Sequence, residues 1–200
     1  MASADDGSFF MENNKTIVFI DGGNFYFKLK KLSTQLNIGT KISLLKFDFN
    51  AFSRWLVGGN DLVEVRYYIG KLSRKQGDLK SEKMYANQQR LLRKLQQQKV
   101  SVVLGQIIKH PDGSYHEKGV DVRLAVEMIR LARQNRYEIA YLLSSDTDLV
   151  PAVEEVKDMG KKVQYIGISK GQSFGLSVTA DDVRLLRPED IEQFFPKTLV

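Results

Sequence analysis

Residues 142–151 read LLSSDTDLVP, an apolar run that breaks off into two carboxylates, Asp146 and Asp148, separated by one threonine. The wider stretch IAYLLSS (139–145) has the pattern of a buried strand. LVPAVEEVKDM (149–159) has that of a helix with Pro151 in its first turn, where the missing N–H would have had no partner. Strand, acidic turn, helix is the repeating unit of an α/β sheet, and the rest of the chain supplies more such units.

Thr16 to Ile20 (TIVFI), closed by DGG, is expected to form a first strand feeding a turn and a helix from about Asn24. Residues 63–69 (VEVRYYI), 100–108 (VSVVLGQII) and 161–168 (KKVQYIGI) are further expected strands. Helices are expected at 47–57 and across SEKMYANQQRLLRKLQQQ (81–98), where Met84, Leu91, Leu92 and Leu95 recur at helical spacing. Another spans 119–134, with Val122, Ala125, Met128, Ile129 and Ala132 forming an apolar face, and PEDIEQFF (188–195) is a short last helix. HPDGSYHEKG (110–119) contains a Pro-Asp-Gly turn signal and is expected to make an exposed hairpin or lip. Strands alternating with helices predict an α/β domain around a mainly parallel sheet, because parallel neighbours require crossover connections.

Two hundred residues, 42% of them apolar, suit one domain with a core large enough to fold unaided. The absence of cysteine excludes disulfides, thiolate metal sites and thiol nucleophiles, and suits a reducing cytosol; the expected location is cytoplasmic. The opening MASADDGSFFMENN carries acids where a signal peptide carries base, so residues 1–14 are expected to be a disordered or expression-derived tail ahead of a single domain over 15–200. No apolar run approaches the length of a membrane span. The net charge of +6 divides unevenly: residues 1–100 hold 17 Lys and Arg against 9 Asp and Glu, residues 101–200 hold 13 against 15. The first half offers a field that attracts a polyanion, the second the acids that bind cations.

In open parallel sheets, ligands bind beyond the carboxyl ends of the strands. Asp21 follows the first expected strand, Asp146 and Asp148 follow the YLL strand, and Asp121 sits in the first turn of the helix that precedes that strand. Glu127, six residues on, is about 120° around the helix from Asp121 and is ranked below the others. Carboxylates gathered at one edge repel one another unless a cation joins them, and an all-oxygen set favours a hard ion such as Mg²⁺ or Mn²⁺. Each acid also has a simpler use: Asp21 as a turn residue, Asp121 as a helix-start acid, Asp146 or Asp148 as an N-cap. Asn24 suits a cap as well as a ligand contact, and Ser144 and Ser145 can donate to a phosphate or to the local backbone. Lys118 opposes the dipole of the helix it precedes, which a phosphate contact would explain.

No GxxxxGK[ST] or GxGxxG is present, and the two histidines, His110 and His116, both lie in the turn-rich lip, leaving little material for a nucleotide loop, a zinc site or a Ser-His triad. The basic residues of KLKKL and RLLRKL, with Arg74 and Lys75, suit a phosphate backbone, and Tyr67, Tyr68 or Tyr115 are available for stacking on bases.

VFIDGGN (18–24), KGVDVRLAVEM (118–128), YLLSSDTDLVPAVEEVKDMGKKV (141–163) and TADDVRLL (179–186) together resemble the NYN-domain family in its LabA-like branch, relatives of the PIN-type nucleases, over about residues 15–195. The resemblance implies a three-layer, PIN-like (Rossmann-like) fold and a Mg²⁺- or Mn²⁺-dependent ribonuclease. The metal acids map to Asp21, Asp121 and Asp146, with Asp148 as a further site acid, Asn24 on the family's Asn and Lys118 on the Lys of its KGVD segment. The chain departs from the family's pattern at Glu127, where Asp is frequent, at Ser145, where Gly is, and at Val183, where an aromatic is expected. The expected activity is endonucleolytic cleavage of RNA, with DNA and homo-oligomerisation left open. The alternative is a catalytically weak RNA-binding or regulatory module of the same fold. A phosphatase of haloacid-dehalogenase type would need Asp-x-Asp where this chain has Asp21-Gly22-Gly23.

Overall fold

The computed structural model describes residues 14–33, 43–72, 74, 76–109, 115–168 and 171–196, and for 106–109 and 115–118 the backbone alone. The tail expected over residues 1–14 therefore lies, but for Asn14, outside the described residues. The elements run β1 (Lys15–Asp21), α1 (Gly22–Ser33), α2 (Phe49–Val57), β2 (Asp61–Gly70), α3 (Leu79–Gln97), β3 (Ser101–Lys109), β4 (Tyr115–Lys118), α4 (Val120–Arg133), β5 (Ile139–Leu143), α5 (Val150–Asp158), β6 (Lys162–Ile168), α6 (Phe174–Thr179), β7 (Asp182–Leu186) and α7 (Pro188–Glu192).

The strands form one sheet in the order β4-β3-β2-β1-β5-β6-β7, and every pairing but the antiparallel β3–β4 is parallel. This is the doubly wound order with a hairpin strand added at one edge, and the winding reverses at β1, between β2 and β5. Alternation along β1 sends Val18 and Ile20 into one core, shared with Phe25, Phe47, Phe52 and Leu95, and Ile17 and Phe19 into a second, shared with Leu124, Met128 and Val153. Helices thus cover both faces, giving the three layers expected of a PIN-like fold. No helix among the described residues is long and apolar enough to cross a membrane.

The structure corrects the sequence reading in several places. Both α6 and β7 went unread, because β7 is an edge strand that buries only Leu186 fully and leaves Val183 and Leu185 partly exposed. The apolar face of α4 is rotated from the expected one: Val122 is exposed, and the buried residues are Val120, Leu124, Glu127, Met128, Leu131 and Ala132. A glutamate in the middle of the buried face hid its phase. On α3, Leu91 and Leu95 are buried but Met84 is half exposed. The expected lip is confirmed in part as the β3–β4 hairpin, in which Lys109 pairs with Tyr115; its tip, 110–114, lies outside the described residues.

Two glycines fix how the site elements approach the sheet. A Cβ on Gly105 of β3 would lie 2.2 Å from Val120 Cγ2, so α4 begins against the strand only because that side chain is missing. Gly119 turns the chain from β4 into α4 at φ +77°, a conformation that penalises any residue with a Cβ.

Candidate functional site

The crevice at the winding reversal is built from the end of β1 and the segment after β5. Asp21 is the last residue of β1 and is 3% exposed. Its Oδ1 accepts the backbone N–H of Asn24 at 3.1 Å, so it caps α1 as its turn-residue reading required. Its Oδ2 accepts the Asn24 side-chain amide and, at 2.9 Å, the hydroxyl of Ser144. The Asn24 carbonyl oxygen in turn accepts Ser145 Oγ at 2.6 Å, which fixes the orientation of the amide. Ser144 Oγ also accepts the N–H of Asp146 at 3.1 Å, and Asp146 accepts the N–H of Asp148 at 3.0 Å as the cap of a single turn over 147–149. Five residues predicted from sequence, Asp21, Asn24, Ser144, Ser145 and Asp146, thus form one continuous hydrogen-bonded chain across β1 and β5.

Asp148 points its backbone into this chain but is itself exposed. Asp121 is exposed in the first turn of α4. That helix packs on β1, β2, β3 and the 147–149 turn, so Asp121's element belongs to the same neighbourhood. Among the described residues no three His, Cys, Asp or Glu side chains converge as a ligand set, and Asp21 and Asp146 accept local N–H and O–H donors. Lys118 ends β4 opposite Gln106, directly before Gly119; its side chain lies outside the described residues.

Glu127 is 7% exposed and has a different environment. Its Oε2 accepts Tyr68 Oη at 3.0 Å and pairs with Arg66 at 3.0 Å, while Oε1 pairs with Arg130 at 3.5 Å and Arg123 at 3.8 Å. Burial, reinforced by the Glu127 charge, pushes the Tyr68 phenol well above the ordinary tyrosine value. Asp21 has no such cation among the described residues: its partners are an amide, a hydroxyl and a backbone N–H.

Lys28, which the sequence reading placed only among the basic residues of KLKKL, belongs to this neighbourhood. It lines a pit of about 20 Å³, room for roughly one water, together with Asn24, Ser144 and Ser145, and its ammonium donates to the Gly171 carbonyl. Burial, then the neighbouring Lys31, holds its pKa below the usual lysine value. The signal for its place beside the site was available, since Asn24 and Lys28 fall at i and i+4 on one face of α1. Tyr67 and Tyr68, by contrast, are both fully buried and offer no open face for stacking. The exposed aromatics nearby are Tyr26 and Phe27 of α1.

A family model for the NYN domain matches residues 15–186, most of the chain. The chain belongs to the NYN-domain family. NYN domains are generally nucleases of PIN-like type, so the hydrogen-bonded crevice lies on a nuclease scaffold. Among solved structures, this NYN domain is similar to a protein of unknown function from Vibrio parahaemolyticus, at 20% identity over 98% of this chain and 100% of that one, with a TM-score of 0.64. At that identity the likeness shows the fold. It is also matched to a pyridoxal-phosphate-bound C–S lyase from Staphylococcus hominis at 10% identity over 83% of this chain and 43% of that one, but a TM-score of 0.31 carries no argument. No curated protein matches.

Proposed function

We propose that this NYN domain is a metal-dependent ribonuclease that cleaves RNA phosphodiester bonds endonucleolytically, with Mg²⁺ or Mn²⁺ as its ion. The observation that carries the reading is the contrast between two buried acids, Glu127 of α4 and Asp21 of β1. Glu127 is compensated by arginines, whereas Asp21 is buried at the winding reversal and its partners among the described residues are neutral donors, so it presents negative charge to whatever enters the crevice.

The donor chemistry fits a hard ion. Asp21, Asp121 and Asp146 are the residues that would hold it, through carboxylate oxygens, and an ion there would lower the pKa of a water and offset charge on a phosphodiester under in-line attack. Asn24 and Ser144 hold the Asp21 carboxylate in one orientation, so its direction is set before substrate arrives. Asp148, exposed beside the Asp146 cap, is placed to position water. Lys28, beside Asn24 and the two serines, and Lys118, at the end of β4, would supply positive charge for the scissile phosphate.

One observation favours the second reading, a weakly catalytic RNA-binding module: no three candidate ligand side chains form a set among the described residues. Cleavage of labelled single-stranded RNA, hairpin RNA and DNA with Mn²⁺ or Mg²⁺, comparing wild type with Asp146→Asn at equal purity, decides between them. Metal-dependent cleavage of RNA that disappears in the variant supports the ribonuclease. Equal background in both, with salt-sensitive RNA binding that survives chelation, supports the module.

A further inference from the structure

A cavity beside the site is not used by the chemistry above. It has a volume of about 520 Å³, within the range of ~300–1,000 Å³ typical of small-molecule sites, and opens directly beyond Gly22 and Gly23, the two residues after Asp21. Its walls come from four separate segments: Tyr26 of α1, Leu45 before α2, Ile69 and Leu72 at the end of β2, and Met84 of α3. Tyr67 is part of its lining, and its hydroxyl donates to the Gly22 carbonyl. The lining is mainly apolar, with Ser43 and Asn87 as polar edges; Gln88 is committed to β2, bonding the Gly70 carbonyl and the Leu72 N–H.

Four properties specify an occupant. The cavity is mainly apolar but has polar groups at its margin, as a planar heterocycle with polar edges requires. Tyr26, 41% exposed, stands at it with Phe27 against its ring at a centroid distance of 5.8 Å. Met84, 48% exposed, supplies a polarisable side chain to the same lining. The flanks carry an excess of positive charge: Lys30 and Lys31 follow Tyr26 on α1, and a groove along α3 holds Arg74, Arg90 and Arg93 with one acid, Glu82, which pairs with Arg74.

We infer that this cavity is a nucleobase pocket, which takes one unstacked base of a single-stranded RNA whose backbone runs from the basic flank of α3 and α1 into the Asp21 crevice. The inference rests on the ribonuclease reading for the identity of the polymer, and narrows its substrate class to single strands. A duplex keeps its bases paired and stacked, so it has no free base to place in the cavity, whereas a splayed base stacks on an aromatic ring and is held sequence-tolerantly.

The test is binding in the presence of a chelator, so that no cleavage occurs, with hexaadenylate and the same hexamer with its bases removed as probes. Methyl NMR on methionine-labelled protein reports the pocket through Met84, assigned with Met84→Leu. Hexaadenylate is expected to shift the Met84 methyl, and the abasic hexamer to leave it in place and bind about fivefold or more weakly, the loss of at least one base stack. Tyr26→Ala is expected to weaken hexaadenylate by a similar factor and to leave the abasic hexamer unchanged. Equal binding of the two hexamers, an unmoved Met84 methyl with RNA bound, or free AMP binding more tightly than hexaadenylate would each overturn the inference. Failure here with metal-dependent cleavage intact leaves the ribonuclease standing. Base-dependent binding at Met84 in a protein that cleaves nothing removes the ribonuclease and keeps the pocket.

Discussion

Asp21 and Glu127 are both buried acids packed at the same sheet, and their surroundings differ in charge. Glu127, on the buried face of α4, lies among Arg66, Arg123 and Arg130, with Tyr68 donating to it. Asp21, at the end of β1 where the winding reverses, meets among the described residues only neutral donors from Asn24 and Ser144. A buried carboxylate that has its cations is part of the scaffold; one that lacks them is equipped to attract one from outside. The position that is often Asp in the NYN family is therefore, in this chain, a brace between α4 and β2, and the proposed chemistry falls to Asp21, Asp121 and Asp146.

The largest expected effect separates the two acids by activity. Asp146→Asn is expected to reduce RNA cleavage by at least about 100-fold, the order seen when one group that stabilises developing charge is removed. Its melting temperature should stay near that of wild type, because the cap on Asp148 can still be made by the amide oxygen. Equal cleavage rates in single-turnover assays would remove the SSDTD acids from the chemistry.

Glu127→Ala should do the reverse. It leaves Arg66 without its closest partner and Tyr68 without an acceptor, and is expected to cost about 3–5 kcal/mol of stability, as breaking a buried pair does. Urea unfolding checks this, and the cleavage rate per folded molecule should be little changed.

Alkali sharpens the same contrast. Burial, the largest cause in each case, raises the phenols of Tyr68, Tyr137, Tyr141 and Tyr165 above their ordinary value of 10.0. A raised folded-state pKa means that the stabilising effect is complete below pH 10 and is lost as pH rises, because only the unfolded chain ionises there. Stability should fall above pH 10 by about 1.4 kcal/mol per pH unit for each of Tyr68 and Tyr137, the two most strongly raised, until its folded-state pKa is reached. Phenolate absorbance should show these two titrating together with unfolding, not ahead of it.

The smallest effect is at the edge of the crevice. Ser145→Ala removes the donor that fixes the Asn24 amide and should cost about 1 kcal/mol of stability, the net value of one hydrogen bond. A larger loss in cleavage than in stability would show that Asn24's orientation matters to the reaction.

How much of this was legible differs along the chain for physical reasons. Asp21 and the SSDTD turn were readable because a buried strand ending in an acid is a local pattern, and the strand-end rule places two such patterns together without further information. The NYN resemblance rested on the same segments and is borne out by the family match over residues 15–186. Glu127 was not readable, since nothing in VDVRLAVEMIR shows that Arg66 and Tyr68, some sixty residues earlier, lie beneath it. The same holds for the cavity, whose walls come from residues 22–26, 43–45, 67–72 and 84–91. Edge strand β7 was lost because period two is a signal only where one face is buried.

The central claim is that the Asp21 end of the sheet takes a cation and the Glu127 brace does not. Mn²⁺-induced broadening of backbone amide NMR signals tests it most directly, in wild type, Asp21→Asn and Glu127→Gln. The account requires saturable broadening centred on Asn24, Ser144 and Asp146 in wild type and Glu127→Gln, and its loss in Asp21→Asn. Broadening that is unchanged in Asp21→Asn, or centred on Glu127 and its arginines, would contradict it.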